Sequence, residues 1–164
     1  MIIITADNGL GNWTIMRDGE VVDFFEVPTF KHADRKKSKV SYTTRIDTNK
    51  LTDKLLLSCV DRANARAFIE RPLINPMRFK ASVSGIRAYE AALIVLEDLC
   101  IGYERVDSRT WQRAFWPAPA KGKKNNTKKL SRNIACQLFP HLKDKIEKSD
   151  GDSLLMAEWA RMRM

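Results

Sequence analysis

The chain has 164 residues, of which 44% are hydrophobic, and it carries a formal net charge of +9. This length fits one domain over residues 1–164, and this much apolar content excludes wholesale disorder. No apolar run approaches the length of a membrane span, and the first residues, MIIITADNG, lack the basic region of a signal peptide. We therefore expect a cytoplasmic protein without membrane association, whose basic charge favours an anionic partner, most commonly nucleic acid.

The amino-terminal part of the chain predicts strands followed by a helix. Residues 2–6 (IIITA) are an apolar run typical of a buried strand, and NWTIMRDGEVVDFFEV predicts a hairpin that turns at Asp18-Gly19. Residues 28–45 are polar and basic without a clear period, which predicts a loop. From Asp47 to Arg62 leucines recur at helical spacing, with Asp47 or Thr48 as the helix cap.

The rest of the chain alternates strands and helices. Residues 65–70 (ARAFIE) predict a fourth strand, SVSGIRAYEAALIVLEDL a long helix and CIGYERV a fifth strand. Helices capped by Ser108 and by Thr127 follow, and a last helix starts at about Asp152. The order βββ-α-β-α-β-α-α-α predicts an α/β protein with one mixed five-stranded sheet covered by helices.

Three cysteines are present, and they are far apart in the sequence: Cys59, Cys100 and Cys136. They form no CxxC or Cys/His spacing of the kind that binds metals. Because each has apolar or helix-forming neighbours, we expect reduced and buried thiols.

Basic residues are concentrated in two segments. The first, AKGKKNNTKKLSR, contains no acid and holds Lys121, Lys123, Lys124, Lys128, Lys129 and Arg132. The second, KHADRKKSK, holds Lys31, Arg35, Lys36, Lys37 and Lys39 against Asp34 alone. Such clustering favours a polyanion-binding surface over a basic surface that merely keeps the protein soluble.

Acidic residues stand where the predicted strands end. Asp7 ends the first strand, Glu70 ends the fourth, and the last helix could bring Asp150 or Asp152 to the same edge of the sheet, where α/β proteins bind ligands. Clustered carboxylates repel one another unless a hard cation such as Mg²⁺ neutralises them. Two such ions about 4 Å apart suit in-line attack on a phosphodiester.

Each acid also has a structural interpretation that the sequence leaves open. Asp7, in DNG, suits an Asx-turn, and Glu70 could be an exposed strand end. Ser149 lies three residues before Asp152, which suits a capping box, and a helix dipole would favour Asp152 without any metal.

Several of these segments together resemble the RuvC-like Holliday junction resolvases of the RNase H-like superfamily. The resemblance lies in IIITADNGLGNWTIM, AFIERP, GIRAYEAALIVLEDLCIGYERVDSRTWQRAF, KKNNTKK, ACQLFP and DSLLMAEWARM. It covers nearly the whole chain except residues 31–45, and it is nearest to the small bacteriophage-type members. It implies an RNase H-like mixed five-stranded sheet that starts with three antiparallel strands, continues with parallel ones, and has helices on both faces.

The resemblance implies a metal-dependent endonuclease that cuts four-way DNA as a homodimer, by paired symmetric nicks. It also implies Mg²⁺, replaceable by Mn²⁺, at two ions per site, and no small-molecule cofactor. Asp7, Glu70 and Asp152 match the family's catalytic acids directly. The family's fourth acid falls at Ser149, so Asp150 is the nearest substitute, and Asn8 replaces the usual proline.

DNA contacts are expected outside the acids. The resemblance places phosphate binding on the lysines of residues 121–129, and residues 31–45 are either a second phosphate-contact element or disordered. The predicted DNA-binding residues are Lys36, Lys37, Arg78, Lys80, Lys121, Lys123, Lys124, Lys128 and Lys129. Leu73 and Phe79 are candidates to probe the junction centre, although core packing or a dimer contact would also explain them and Met77.

Two other functions remain open from the sequence. One is a nuclease of the same superfamily acting on flapped DNA or an RNA–DNA hybrid. The other is a nucleic-acid-binding module without catalysis, against which the three matched acids argue. The sequence does not show the dimer contacts, for which the apolar helix over residues 85–99 is one candidate.

Overall fold

The computed structural model describes residues 1–7, 10–36, 39–59, 61–116 and 126–164. Its strands are β1 (Ile2–Ala6), β2 (Asn12–Arg17), β3 (Glu20–Glu26), β4 (Thr29–Lys36), β5 (Lys39–Ile46), β6 (Ala65–Glu70) and β7 (Gly102–Val106). Its α-helices are α1 (Thr48–Ser58), α2 (Phe79–Asp98), α3 (Ser108–Gln112), α4 (Thr127–Leu138), α5 (Lys143–Lys148) and α6 (Asp152–Arg163). Short 3₁₀ turns cover Arg62–Asn64, Pro76–Arg78 and Pro140–Leu142.

Five strands form one mixed sheet in the order β3-β2-β1-β6-β7. β1, β2 and β3 are antiparallel neighbours, whereas β6 runs parallel to both β1 and β7. This is the expected RNase H-like sheet, with three antiparallel strands followed by parallel ones. The predicted hairpin turn is confirmed at Asp18-Gly19, where both residues have positive φ.

Helices cover both faces of the sheet, because successive residues of a strand point to opposite sides. Ile2 and Ile4 belong to the core that includes α1 and α2, while Ile3 belongs to the core that includes α4, α5 and α6. Trp111, Trp116 and Trp159 are buried in the second core. None of the described helices is long and apolar enough to cross a membrane.

The predicted loop over residues 28–45 is wrong. β4 and β5 pair with each other in a separate two-stranded antiparallel sheet, from Thr29 opposite Ile46 to Lys36 opposite Lys39. The sequence gives little sign of it because both strands are rich in polar residues on both faces, so no apolar alternation appears. Ile46, at the end of β5, is buried in the first core, whereas residues 40–45 of β5 are exposed or partly exposed, so alternation is not required there.

Helix starts differ slightly from the sequence prediction. Asp47 caps α1, and its carboxylate accepts from a backbone N–H of the first turn, as expected. Asp107 rather than Ser108 precedes α3, and Asn126 rather than Thr127 caps α4, since the Asn126 side chain accepts a hydrogen bond from the helix backbone. α5 is an additional helix where the sequence predicts only a connection.

All three cysteines are free, but only Cys59 is buried. Cys136 is partly exposed and Cys100 is exposed, so the prediction of three buried thiols is wrong. Cys100 follows α2 in a tight turn with φ of 55°, which carries its side chain out of the neighbouring apolar core.

Candidate metal centre

The carboxyl ends of β1 and β6 bring two acidic residues side by side. These strands are parallel neighbours in which Ala6 lies opposite Ile69. Asp7 directly follows Ala6, and Glu70 directly follows Ile69 as the last residue of β6. We call this side of the sheet the acid edge.

Two buried threonines hold the start of α6 against the sheet. The Thr5 hydroxyl donates to the backbone carbonyl of Ser153 at 2.6 Å, and the hydroxyls of Thr14 and Ser153 are 2.8 Å apart. All three residues are fully buried. Because Ser153 is fixed on β1 and β2, Asp150 and Asp152 lie at the acid edge.

Three aspartates converge there. Asp7, Asp150 and Asp152 each offer a carboxylate oxygen, and these oxygens all lie within 4.8 Å of one another. Asp150 is held in place by the Asn12 side-chain amide, which donates to its Oδ1 at 3.3 Å, and more weakly by the backbone N–H of Asp152 at 3.4 Å. Asp150 therefore occupies a position in the cluster that the sequence leaves ambiguous between it and Ser149.

The capping-box interpretation of Ser149 is wrong. Gly151 precedes α6, and no side chain caps this helix. The Ser149 hydroxyl instead donates to the backbone carbonyl of Lys145 at 3.0 Å and approaches that of Asp150 at 3.1 Å. The three-residue spacing between Ser149 and Asp152 therefore does not correspond to a capping interaction.

Asp152 is partly buried beside α4. Its Oδ1 is buried and has no hydrogen-bond partner among the residues that the structure describes. Burial raises the pKa of the Asp152 carboxyl to about 6; the nearby Ser131 hydroxyl lowers it, the Asp150 charge raises it, and Lys128 lowers it. A buried carboxylate oxygen without a donor is costly, and a hard cation that binds oxygen would satisfy it.

Glu70 is more deeply buried than the aspartates. Only 9% of it is exposed, so an exposed strand end is excluded. The indole N–H of Trp111, itself fully buried, donates to Glu70 Oε2 at 2.9 Å. Burial raises the pKa of Glu70 to about 7; the Trp111 hydrogen bond lowers it, and the charges of Asp152 and Asp150 raise it.

Trp111 is a site residue that the sequence analysis does not identify. It lies 41 positions from Glu70 in the sequence, and its ring also packs edge-on against Trp116 at 5.7 Å between centroids. The only sequence signal for this role is a tryptophan in a helix that follows a strand end. That signal does not identify Glu70 as the acceptor of its N–H. The hydrogen bond fixes the direction of the Glu70 carboxylate.

Gly11 leaves the space in which the Asp7 carboxylate lies. A Cβ atom at position 11 would be 2.6 Å from Asp7 Oδ2 and 3.0 Å from its Cβ and Cγ. The backbone N–H of Asp7 donates to the Asn12 carbonyl at 3.1 Å, so β1 and β2 stay paired up to this turn. The absence of a side chain at Gly11 therefore permits the observed position of Asp7.

A cavity of about 540 Å³ opens at the acid edge. Asp7, Glu70 and Asp152 line it together with two cationic residues, Arg78 and Lys128. The first half of α2 forms the opposite wall through Ala81, Ser82, Ser84 and Gly85. Acids that can hold a cation and bases that can hold a phosphate therefore face one cavity.

Large apolar side chains stand exposed beside the cavity. Leu73 is 82% exposed and also lines the cavity, while Met77 is 93% and Phe79 72% exposed. Core packing of these three residues, one alternative from the sequence, is therefore wrong. Exposure of this kind, with Leu73 in the cavity lining and Met77 and Phe79 on either side of Arg78 in the sequence, is what an apolar contact with an external partner requires.

The predicted DNA-binding residues are only partly located. Lys80 is exposed in the first turn of α2, and Lys128 and Lys129 are exposed in the first turn of α4. Lys36 is the last residue of β4. Lys37, Lys121, Lys123 and Lys124 lie outside the described residues.

No protein-family model and no curated protein matches this chain. Among solved structures, RuvC from Thermus thermophilus in complex with a Holliday junction substrate is similar over 82% of this chain and 79% of that one, at 9% identity and a TM-score of 0.44. A second structure of Thermus thermophilus RuvC is similar over 99% of this chain and 96% of that one, at 12% identity and a TM-score of 0.48. At these identities the likeness concerns the fold, and no role of a side chain is taken from it.

Proposed function

We propose that this protein is a RuvC-like, metal-dependent endonuclease that cuts four-way DNA junctions. The observation that carries the proposal is the convergence of Asp7, Asp150 and Asp152, whose oxygens lie within 4.8 Å of one another. The cationic residues Arg78 and Lys128 line the cavity that this edge opens into. Carboxylates repel the phosphates of a polyanion. An acidic cluster on such a binding surface therefore implies a cation that bridges carboxylate and phosphate oxygens.

Asp7, Asp150 and Asp152 would hold one divalent cation, and the unpartnered Oδ1 of Asp152 fits this role. Glu70, which lines the same cavity as Asp7, would complete a second site. The ligands are all oxygens, which suits Mg²⁺, with Mn²⁺ as its substitute. When bound, such ions supply Lewis acidity for phosphodiester hydrolysis and an acidified water.

The protein's own residues orient the reaction. The indole N–H of Trp111 holds the Glu70 carboxylate in one direction, so Glu70 can align the attacking water. Burial raises the pKa of this carboxyl to about 7, so a cation bound beside it would keep it ionised near neutral pH. Lys128, exposed in the first turn of α4, offsets negative charge on the scissile phosphate.

Contacts around the cavity would position the junction. Arg78, Lys80 and Lys129 bind backbone phosphates beside Lys128, together with the lysines that lie outside the described residues. Leu73, exposed where it lines the cavity, and Phe79, exposed next to Arg78 in the sequence, would insert at the unpaired junction centre.

Symmetric nicking requires two active sites, so we propose a homodimer. Ile94, 52% exposed on α2, supports this helix as the contact. We also propose that the protein is of the bacteriophage type and works in the cytoplasm, on the sequence resemblance alone.

The test offers the protein four substrates in equal amounts: a four-way junction, a flap, a linear duplex and an RNA–DNA hybrid, with Mg²⁺ or with EDTA. We expect paired nicks in the junction with Mg²⁺ and none with EDTA. Asp7→Asn should lower cleavage by about three orders of magnitude, because metal ligation supplies several kcal/mol of transition-state stabilisation, while binding persists.

Asp53→Asn is the matched control, since Asp53 is exposed on α1 and does not line the cavity. It should cleave like the parent protein. Equal cutting of linear duplex, or cutting in EDTA, would refute junction resolution, and preferred cutting of the flap or hybrid would reassign the substrate.

A further inference from the structure

β4 and β5 form a separate two-stranded ribbon that starts at the acid edge. β3 runs in the same direction as β1, and its last residue, Glu26, is level with Asn12. Val27 then donates its N–H to the Gly11 carbonyl at 3.2 Å, and Asp47 donates to the Pro28 carbonyl at 2.8 Å. The base of the ribbon is therefore tied to the glycine that borders Asp7.

The ribbon is long enough to follow DNA for most of a helical turn. Each of its strands has eight residues. At about 3.3 Å per residue this length is about 26 Å, which corresponds to about eight base pairs. A two-stranded ribbon is also one of the elements that the major groove admits.

Large side chains of the ribbon are exposed. Tyr42 is 68%, Val40 56% and Phe30 45% exposed. A two-stranded hairpin alone is marginally stable, and such exposure is costly unless a partner covers it. The main contacts of the ribbon are with itself and, through β5, with α2.

One face of the ribbon combines basic and apolar side chains. In the strand register, Lys31 lies opposite Thr44, Ala33 opposite Tyr42, and Arg35 opposite Val40, so these six residues share a face. Lys31 and Arg35 are both exposed. Over residues 29–46 the sequence has six basic residues and one acid.

We infer that this face of the ribbon binds a duplex arm of the DNA substrate, with Lys31 and Arg35 on phosphates and Tyr42 against the groove wall. The inference rests on the proposed function for the identity of the substrate. The charge favours DNA over a second copy of the chain, because two ribbons of the same strongly basic charge repel each other. The ribbon's root beside Gly11 directs the bound arm across the acid edge.

The test compares two double variants that remove the same charge. Lys31→Thr/Arg35→Thr alters the ribbon face and keeps residues that favour strands. Arg62→Thr/Arg66→Thr is the control, since both arginines are exposed at the opposite end of β6 from Glu70. Binding to a four-way junction and to a linear duplex is measured in EDTA over a range of salt concentrations.

We expect the ribbon variant to lower the slope of log affinity against log salt by about 1.8, since each lost phosphate contact removes about 0.9. The control should keep the parent slope. An unchanged slope in the ribbon variant, or equal losses in both variants, would overturn the inference. So would a ribbon variant that changes from dimer to monomer by sedimentation, because the ribbon would then be a contact between copies.

Binding in EDTA requires no cleavage, so this result is independent of the activity of Asp7→Asn. If the parent protein cuts junctions but the ribbon variant keeps the parent salt slope, only the ribbon's role is refuted. A ribbon effect on binding without any metal-dependent cutting would refute the nuclease proposal alone.

Discussion

Asp7 and Glu70 follow neighbouring parallel strands, yet their surroundings differ in kind. Glu70 is buried, accepts a hydrogen bond from Trp111 and has a pKa raised to about 7. Asp7 is partly exposed, and its position depends on the space left by Gly11. One carboxylate is therefore placed by a donor in a low-dielectric pocket and the other by the absence of a side chain, although both lie in one cavity.

The largest expected effect concerns Glu70, the buried carboxylate of this pair. The pKa of Glu70 is raised from 4.5 to about 7, so its contribution to stability is complete below about pH 4.5 and is lost as pH rises through 7. The full loss is about 3 kcal/mol. Glu70→Gln should abolish this loss, so that in EDTA the variant is more stable than the parent at about pH 8 and similar at about pH 5.

Urea unfolding of both proteins at the two pH values measures the difference. Asp152, whose pKa is raised to about 6, adds its own loss with rising pH, and because its charge also raises the pKa of Glu70, the measured difference belongs to this pair of carboxyls. Glu20→Gln, at an exposed position, is the control and should follow the parent. Identical pH dependence in all three proteins would show that Glu70 ionises without cost.

The next effect concerns Asp7, the more exposed carboxylate of the pair. Gly11→Ala would place a Cβ atom 2.6 Å from Asp7 Oδ2, so the carboxylate must move. A displacement of about 1 Å at a reacting centre can cost about a hundredfold in rate, and we expect a loss of this size in junction cleavage with Mg²⁺.

Gly102→Ala is the matched control, since nothing lies within 4 Å of a Cβ atom there. It should cleave at the parent rate. Parent activity in Gly11→Ala would mean that Asp7 tolerates displacement and that Gly11 does not place it.

The smallest expected effect separates positioning from burial at Glu70. Trp111→Phe keeps an aromatic ring but removes the N–H that bonds to Glu70 Oε2. Loss of such a supporting hydrogen bond costs about tenfold or more in activity. Because this bond lowers the pKa of Glu70, its loss should also move the acidic limb of the cleavage pH profile to higher pH.

Trp116→Phe is the control for packing, because Trp116 contacts the Trp111 ring edge-on. It should change stability more than the pH profile. A Trp111→Phe protein with reduced rate but an unmoved profile would assign Trp111 to the core alone.

The sequence predicted those parts of the fold whose pattern is local. Residues 2–6 and 65–70 are apolar runs with an acid at the end, and Asp18-Gly19 is a local turn signal, so the strand ends that place Asp7 and Glu70 could be read directly. The meeting of these ends followed from the rule that parallel strands end at one edge.

The ribbon strands and the hydrogen bonds of the site could not be predicted from the sequence. They depend on contacts between distant residues, or on the lack of such contacts. β4 and β5 pair with each other outside the five-stranded sheet, and they lack the alternation that marks a strand. The bond from Trp111 to Glu70 and the bond from Asn12 to Asp150 join residues far apart in the chain. No spacing rule relates such pairs.

The tight packing at Gly151 has a mechanical consequence. A Cβ atom there would lie 2.3 Å from the Cβ of Ala135 and 3.0 Å from the Ser131 carbonyl, so the start of α6 rests directly on the backbone of α4. α4 carries Lys128 in its first turn. A phosphate bound to Lys128 would therefore act on the same helix contact that positions Asp152. A shift of α4 on binding would be passed directly to the start of α6, so Lys128 and Asp152 would move together.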